Sequence, residues 1–271
     1  MLEMLKEDVG KGDITSNAII PTRTTVEGFI KIEQDGVAAG LEEAKWLLEK
    51  CGLRAKLIVK DGQGVNKGAH LLEVQGNARK LFAVERTVLN LIGRMSGIAT
   101  ETAKAVKLAN EVNAKVKIAA TRKTILRWFD KRAVVLGGGL SHRQGLYDAI
   151  LIKTSHVKLI GSIEEALKRA RNNAPGEKIE IEVKNAMEAL EAAKCGAHAI
   201  LLDNFSHREI RKALELLKRN GLRDKVLVEL SGGINLRNIK EFARHDADII
   251  SMGCLTHSPK WMQVYMRLNA H

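Results

Sequence analysis

Polar and glycine residues recur at intervals of 21 to 30 positions in the second half of the chain, each at or just after the end of a short apolar run. In a barrel of parallel strands such positions meet at one mouth, where barrel enzymes place their chemistry. The spacing therefore predicts one site, built from Lys123, Lys153, Glu182, Asp203, Ser231 and Gly253.

Positively charged residues come first along this series. Arg122 and Lys123 follow the first run, His142 and Arg143 come next, and Lys153 follows the second run. Gathering like charges at one mouth is costly unless an anion neutralises them. We therefore predict an anionic substrate. The alternative is that these side chains form separate surface salt bridges.

Two acidic residues, Glu182 and Asp203, are one strand–helix unit apart, which places them on neighbouring strands. Facing carboxylates suit Mg²⁺, which prefers oxygen ligands, keeps several waters and bridges phosphates. We expect a metal-bound, phosphorylated substrate to meet a second anion here. The alternative is that both carboxylates are only counter-ions to the lysines.

Glycines come last in the series. Ser231, Gly232 and Gly233 follow one run, and Gly253 follows the next. Barrels often bind phosphate at their last two strands, where backbone N–H groups and a helix N-terminus favour negative charge. A tight turn between strand and helix is the alternative. The Gly137–Gly139 run lacks the frame of a dinucleotide site and is expected to allow close backbone approach beside His142.

The elements that must position these residues alternate between apolar runs and amphipathic helices, which indicates a parallel sheet covered by helices. We predict an incomplete barrel. The expected strands are Val116–Ala120, Ala149–Ile152, Ile179–Val183, Ala199–Leu202, Val226–Glu229 and Asp248–Ser251. The expected helices are Ser162–Asn173, Ala186–Lys194, His207–Asn220 and Leu236–His245.

Residues 1 to about 100 read differently, as mixed α and β structure. Two β-like runs, Thr24–Glu33 and Ala55–Val59, flank a helix at Leu41–Lys50. A long helical pattern from Leu81 to Asn113 is expected to be interrupted near Gly93–Gly97.

Composition limits the possible functions of the 271-residue chain. No apolar run is long enough for a membrane span, and residues 1–15 lack the apolar core of a secretory signal. Three widely spaced cysteines argue for reduced thiols in the cytoplasm. The net charge of +12 leaves a nucleic-acid-binding protein as an alternative, although an aromatic content of 4% provides few stacking platforms. We expect no nucleic-acid partner.

Sequence motifs carry a resemblance that runs through nearly the whole chain. The chain resembles the quinolinate phosphoribosyltransferase family. The matching motifs are Glu7-Asp8-Val9-Gly10, Gly12-Asp13-Ile14-Thr15, Glu85-Arg86-Thr87, Met95 to Thr100, Thr121-Arg122-Lys123-Thr124, Gly137 to Gly139, His142-Arg143, Leu151-Ile152-Lys153, Glu180 and Glu182, Leu202-Asp203-Asn204, Ser231 to Ile234 and Leu255 to Ser258.

The resemblance implies an N-terminal α/β sandwich at residues 1–100, joined by residues 259–271. It also implies an incomplete TIM-like α/β barrel at residues 101–258, the type II phosphoribosyltransferase fold. The implied reaction joins quinolinate to phosphoribosyl pyrophosphate and gives nicotinate mononucleotide, CO₂ and pyrophosphate, with Mg²⁺ as cofactor. A homodimer with shared sites is implied, and a higher oligomer is left open.

Family roles carry over to matching positions. Arg86 would reach the partner's site, while Arg122, Lys123, His142, Arg143 and Lys153 would hold the carboxylates of quinolinate. Glu182 and Asp203 would face the ribose and Mg²⁺-pyrophosphate, and Ser231, Gly232, Gly233 and Gly253 would hold the 5-phosphate. Lys123, Lys153, Glu182 and Asp203 are the implied catalytic residues.

Three segments depart from the family pattern. Ala120 stands where the family commonly has Asp, Ile125 replaces a Thr-Pro-Gly stretch, and Thr154-Ser155-His156 replaces Asp-Asn-His. The last departure removes a carboxylate near the expected metal. A paralogue acting on another acid is therefore the alternative function within this fold.

Overall fold

The computed structural model describes residues 1–269 and divides the chain into two compact units. One unit contains Met1–Ala103, Val135–Gly137 and the segment from Pro259 onward, and the other contains Lys104–Val134 and Gly138–Ser258. In the described part of the chain, no helix is long and apolar enough to cross a membrane.

The helices and strands follow one another closely along the chain. Up to residue 110 they are α1 (Leu2–Val9), α2 (Ile14–Ile19), β1 (Thr25–Ile32), β2 (Gly36–Val37), α3 (Leu41–Lys50), β3 (Arg54–Leu57), β4 (Gly64–Val65), β5 (His70–Asn77) and α4 (Ala78–Asn110). Then come β6 (Lys117–Ala119), α5 (Arg127–Leu136), β7 (Ile150–Ile152), α6 (Thr154–Ile160), α7 (Ile163–Asn173), β8 (Ile179–Val183), α8 (Ala186–Lys194), β9 (Ala199–Asp203), α9 (His207–Arg219), β10 (Leu227–Ser231), α10 (Ile239–Ala243), β11 (Ile249–Ser251), α11 (Cys254–His257) and β12 (Val264–Leu268).

The first unit is built on an antiparallel sheet in the order β12-β1-β5-β3. Helix α3 turns Leu41, Ala44 and Leu48 inward, the helical spacing of an amphipathic element that packs on a core. The buried cluster joins these residues to Ile30 of β1 and Leu72 of β5. This unit has the layered α/β arrangement expected from the sequence.

Helix α4 is continuous, so the predicted interruption near Gly93–Gly97 is wrong. The glycines provide close packing inside an unbroken helix. A Cβ on Gly97 would lie 1.7 Å from the Lys260 carbonyl oxygen. One turn earlier in α4, the Gly93 carbonyl oxygen accepts a hydrogen bond from the Met262 N–H at 3.0 Å. Glycine is therefore required by the chain segment that crosses the helix.

Gly137 also serves close packing, but not beside His142 as the sequence suggested. A Cβ on Gly137 would lie 2.3 Å from the Ala99 carbonyl oxygen and 2.7 Å from Thr102 Cβ, both on α4. The glycine run thus brings the end of α5 against that helix.

The second unit contains a six-stranded parallel sheet in the order β6-β11-β10-β9-β8-β7. Strands such as β8 and β10 are buried along most of their length, which is typical of a parallel sheet covered by helices. An isolated parallel bridge joins Ala119 of β6 to Leu140 and extends the sheet at that edge. The sheet is the incomplete α/β barrel that the sequence predicted.

All six predicted strands of this unit are present, within a few residues at their ends. The predicted helix at Leu236–His245 is shorter and spans Ile239–Ala243. Helices α5 and α6 had no counterpart in the sequence analysis. Both follow cationic motifs, whose charges obscured the apolar pattern that defines a helix.

Substitution of Gly97 by Ala tests the packing of α4. We expect Gly97→Ala to lower the free energy of unfolding by about 2 kcal/mol or more, because the new methyl group meets backbone that cannot rotate away. Gly64→Ala is the control, since no atom lies within 4 Å of its added Cβ. Chemical denaturation measures both variants, and equal stabilities would contradict this account of α4.

Candidate active site

A cavity of about 380 Å³ lies at the carboxyl ends of the strands in the second unit. Its volume falls within the range of small-molecule sites, about 300 to 1,000 Å³. The predicted site residues that line it are Arg122, Lys123, His142, Arg143, Lys153, Glu182, Asp203 and Ser231. The other lining residues are Ala120, Thr121, Leu151, Glu180, Leu201, Glu229 and Ser251.

The charged lining residues are arranged by strand. Arg122 and Lys123 follow β6, Lys153 follows β7, and these are the two edges of the six-stranded sheet. His142 and Arg143 follow the segment bridged to β6. Carboxylates come from β8, β9 and β10 in the middle of the sheet. The cations therefore border the open side of the barrel, and the carboxylates lie along its middle.

Local hydrogen bonds hold the cationic loops. The Thr256 hydroxyl donates to the Lys123 carbonyl oxygen at 3.0 Å, so α11 fixes the loop after β6. The Lys153 N–H donates to His156 Nδ1 at 2.9 Å where α6 begins. The Arg143 guanidinium donates to the Ala149 carbonyl oxygen at 3.3 Å. These hydrogen bonds hold the loops that carry Lys123, Lys153 and Arg143 in place.

Lys131 and Arg127 of α5 belong to the same cationic cluster, and sequence analysis missed both. Burial, together with the charges of Arg122, Arg127 and Arg143, lowers the pKa of Lys131 to about 8 against the opposing effect of Asp148. Lys131 is 1% exposed and donates to the Ser141 carbonyl oxygen.

Two guanidinium groups of this cluster have a buried nitrogen in need of an acceptor. The Nε atoms of Arg122 and Arg127 have no hydrogen-bond partner among the described residues. Buried donors without an acceptor are costly. An anion entering the cavity beside Arg122 would reduce this cost.

His142 is held by a buried pair of carboxyl groups. Its Nε2 lies 2.8 Å from Glu229 Oε2 and 3.5 Å from Glu180 Oε2, while its Nδ1 accepts the Arg143 N–H at 2.7 Å. Burial alone would lower the pKa of His142, but the hydrogen bond to Glu229 and the charges of Glu229 and Glu180 outweigh burial and raise it.

The hydrogen bond from the Arg143 N–H leaves no room for a proton on Nδ1, so in this conformation Nε2 carries the ring proton. Adding a second proton would break the bond to Arg143. Both nitrogens of His142 are engaged within the protein, and its predicted contact with substrate stays a prediction.

Burial and the adjacent Glu229 carboxylate raise the pKa of Glu180 to about 8, against the opposing charges of His142 and Arg143. His142, Glu180 and Glu229 offer three possible ligand atoms within 4.8 Å of one another. His142 and Glu229 bond each other directly at 2.8 Å, so we assign no metal there.

Glu182 and Asp203 are better placed for a divalent cation. They are half-buried on neighbouring strands, and Asp203 lies beside Ser231 in the register of β9 and β10. Glu182 Oε1 accepts from the Thr154 hydroxyl at 2.9 Å, and Asp203 Oδ2 accepts from the Asn204 amide at 2.9 Å. In the described residues each carboxylate keeps its second oxygen for a ligand, which suits a hydrated Mg²⁺.

The predicted glycines lie next to this part of the cavity without lining it. Gly232 has a φ of +98°, and a Cβ there would lie 2.3 Å from Asn204 Oδ1. Gly233 follows with a φ of +64°. A Cβ on Gly253 would approach the Lys123 side chain at 3.4 Å. The turns after β10 and β11 therefore leave backbone, with little side-chain bulk, beside Ser231.

Arg86 is exposed on α4 in the first unit and is not a lining residue of the cavity. Its predicted reach into a partner subunit's site stays a prediction.

Glu229 and Glu180 are the main lining residues that spacing did not single out, although Glu180 belongs to a matching motif. A usable signal was present, because side chains two positions apart on a strand share a face. Glu180 therefore faces the same way as Glu182, and Glu229 the same way as Ser231.

Comparisons with known proteins give a consistent result. The family model described as quinolinate phosphoribosyl transferase, C-terminal domain, matches residues 98–267, and the model of the N-terminal domain matches residues 13–96. A probable nicotinate-nucleotide pyrophosphorylase (carboxylating) of Methanothermobacter thermautotrophicus is 43% identical over 259 residues, covering 94% of this chain and 93% of the relative. The corresponding protein of Bacillus subtilis is 39% identical over 266 residues, covering 96% and 89%.

Solved structures agree with these sequence matches. The crystal structure of NadC from Streptococcus pyogenes has a TM-score of 0.91 at 34% identity and covers 99% of this chain and 94% of that one. A nicotinate-nucleotide pyrophosphorylase from Ehrlichia chaffeensis has a TM-score of 0.89 at 37% identity, covering 99% and 97%.

Proposed function

The chain belongs to the quinolinate phosphoribosyltransferase family, and we propose that the cavity at its barrel mouth is where the family reaction takes place. The enzyme transfers the phosphoribosyl group of phosphoribosyl pyrophosphate to quinolinate and releases CO₂ and pyrophosphate. The product is nicotinate mononucleotide, a precursor of NAD. The gathering of four permanent cations in one cavity is the observation that carries the proposed location.

The cationic side of the cavity holds the acceptor acid in this proposal. Quinolinate carries two carboxylates on adjacent ring carbons, and guanidinium groups bind carboxylates with paired hydrogen bonds. Arg122 has a buried nitrogen in need of an acceptor, and Arg143 is fixed by its bond to Ala149. Lys123 and Lys153 add charge on either side. His142 completes the clamp by holding the Arg143 backbone.

The carboxylate side of the cavity faces the ribose and the metal. Mg²⁺, held through the second oxygens of Glu182 and Asp203, would neutralise the pyrophosphate leaving group. Ser231 and the turns at Gly232, Gly233 and Gly253 would take the 5-phosphate, since glycine lets backbone N–H groups approach closely.

The chain's own groups perform the transfer mainly by positioning and electrostatics. The clamp orients the pyridine nitrogen toward ribose C1, where the bond to pyrophosphate breaks as the new C–N bond forms. Glu182 or Asp203 stabilises positive charge that develops on the ribose ring. One carboxylate then departs as CO₂, the adjacent cationic ring nitrogen stabilises the electron pair left on the ring carbon, and that carbon takes up a proton from solvent to give nicotinate mononucleotide.

Thr154 is the most relevant departure from the family pattern. Its hydroxyl donates to Glu182 where the family usually has a carboxylate, so the metal side has one less negative charge. This neutral hydrogen-bond donor orients the Glu182 carboxylate. This supports Mg²⁺ binding with one charged ligand fewer than in the family pattern. A substrate screen would decide whether the enzyme instead uses another acceptor acid.

A homodimer in the cytoplasm is the expected setting. Large apolar side chains are exposed in segments next to the mouth, at Ile125, Trp128, Leu146 and Tyr147. Such side chains favour cover by another protein surface. Arg86 of one subunit would then reach the mouth of the other. None of the three cysteines forms a disulfide in the described part of the chain.

The product assay tests the function itself. Purified enzyme with quinolinate, phosphoribosyl pyrophosphate and Mg²⁺ should release CO₂ and nicotinate mononucleotide in equal amounts. Absence of product, or product from another pyridine acid instead, would contradict the proposal.

Alanine substitutions test the clamp. We expect Arg122→Ala and Lys153→Ala to lower kcat/KM for quinolinate by about 100-fold or more, because each leaves a substrate carboxylate without its partner. Arg219→Ala is the control, since Arg219 only pairs with the exposed Glu215 on α9. Circular dichroism checks the fold. Near-normal turnover in a folded Arg122→Ala enzyme would remove the clamp.

Asp203→Ala tests the metal side. We expect the KM for Mg²⁺-phosphoribosyl pyrophosphate to rise more than the KM for quinolinate, because the carboxylate lies beside Ser231 and away from the cationic edges. Asp224→Ala, at an exposed position, is the control. Equal loss for both substrates, or loss for quinolinate alone, would show that the two halves of the cavity are wrongly assigned.

Subunit mixing tests the shared site. Arg86→Ala and Lys153→Ala, each inactive alone, should recover about a quarter of wild-type activity when subunits exchange. About half of the dimers are then mixed, and each mixed dimer has one intact site of two. Arg122→Ala mixed with Lys153→Ala should recover nothing, because every barrel then carries a lesion. No recovery for the first pair despite demonstrated exchange would place Arg86 outside a partner's site.

A further inference from the structure

The turn that carries Arg143 has an unfavourable backbone conformation. His142 has a φ of +52°, in the left-handed region that side chains with a Cβ rarely adopt. Such a conformation persists only where the surroundings hold it. The turn at Ser141–Arg143 therefore needs contacts that fix it.

Two buried ionisable groups, Glu229 and Lys131, supply those contacts. Glu229 of β10 is 3% exposed, and its Oε2 lies 2.8 Å from His142 Nε2. Lys131 of α5 is 1% exposed and donates to the Ser141 carbonyl oxygen. The His142 ring then accepts the Arg143 N–H at 2.7 Å, which connects Glu229 to the Arg143 backbone through one imidazole.

Glu229 has two partners, His142 and Glu180. A buried carboxylate is costly unless it is paired, and its short contact here is to His142. Its strand position faces the barrel interior below Ser231, and its side chain is 4% exposed. Glu229 lines the cavity, but with so little of its side chain exposed its contacts are within the protein, chiefly to His142.

We propose that Glu229 is a positioning residue for quinolinate binding: it fixes His142, and together with Lys131, which binds Ser141, it sets the turn that presents the Arg143 guanidinium to the acceptor acid. The inference rests on the proposed function for its kinetic consequence, whereas the geometry of the turn can be tested independently. Glu180 of β8 also lies 3.5 Å from His142 Nε2, whereas the two carboxylates assigned to the phosphoribosyl side, Glu182 and Asp203, bond Thr154 and Asn204 instead.

Steady-state kinetics of Glu229→Gln tests the consequence. Glutamine keeps the size but loses the charge that fixes the ring. We expect the KM for quinolinate to rise about tenfold or more, and the KM for phosphoribosyl pyrophosphate to change by less than about twofold. Lys131→Met should show the same asymmetry, and it replaces Glu229→Gln if that variant fails to fold.

Asp248→Asn is the matched control for a purely structural carboxylate. Asp248 Oδ2 accepts from the Val228 N–H at 2.7 Å and from Arg223 at 3.0 Å, at the opposite end of the strands. We expect this variant to lower the melting temperature and leave the KM for quinolinate unchanged. An equal rise in KM for Asp248→Asn would reduce the Glu229 effect to lost stability and overturn the proposal.

Crystal structures of the wild type and Glu229→Gln, or Lys131→Met if needed, give a readout that does not depend on turnover. The expected result is a relaxed φ at residue 142 and a displaced Arg143 guanidinium. An unmoved turn overturns the proposal whatever the kinetics, and so does an unchanged KM for quinolinate in an active variant. A wild-type enzyme that forms no nicotinate mononucleotide would instead overturn the proposed function, and the two structures would still decide the role of Glu229.

Discussion

Positive charge gathered in a partly buried cavity is the constraint on which the rest of the structure depends. Burial and neighbouring guanidinium groups are strong enough to bring the pKa of Lys131 down to about 8. Arg122 and Arg127 keep buried nitrogens in need of an acceptor. Such a cluster persists because carboxylates on the middle strands offset part of the charge and because the rest is left for an anionic substrate.

The barrel makes this arrangement possible by separating opposite charges along one sheet. Arg122 and Lys153 come from its two edges, whereas Glu182 and Asp203 come from its middle. Under the proposed function, a dicarboxylic acid would bind on the cationic side of one mouth and a metal-bound diphosphate on its acidic side. Because the sheet does not close, β6 and β7 remain edge strands, and the cationic residues that follow them line the cavity.

The sequence alone predicts the features that recur with each strand–helix unit of the barrel. Each strand end falls at a regular interval, so the lining by Lys123, Lys153, Glu182 and Asp203 followed from spacing. Glu229 could not be found this way, because its role depends on a contact with His142, 87 positions away in the sequence. The predicted interruption of α4 at its glycines was wrong for a related reason. Their local preference argues for a break, and only the crossing segment at Lys260–Met262 explains why the helix continues.

The central claim is that the cationic side of the cavity selects an acceptor with two carboxylates. The ratio of kcat/KM for quinolinate to that for nicotinate, which lacks the second carboxylate, tests it most directly. Because an acceptor with one carboxylate leaves buried cations unpaired, the account predicts a ratio of about 1,000 or more. A ratio near one would show that the cluster does not read the second carboxylate and would contradict the account.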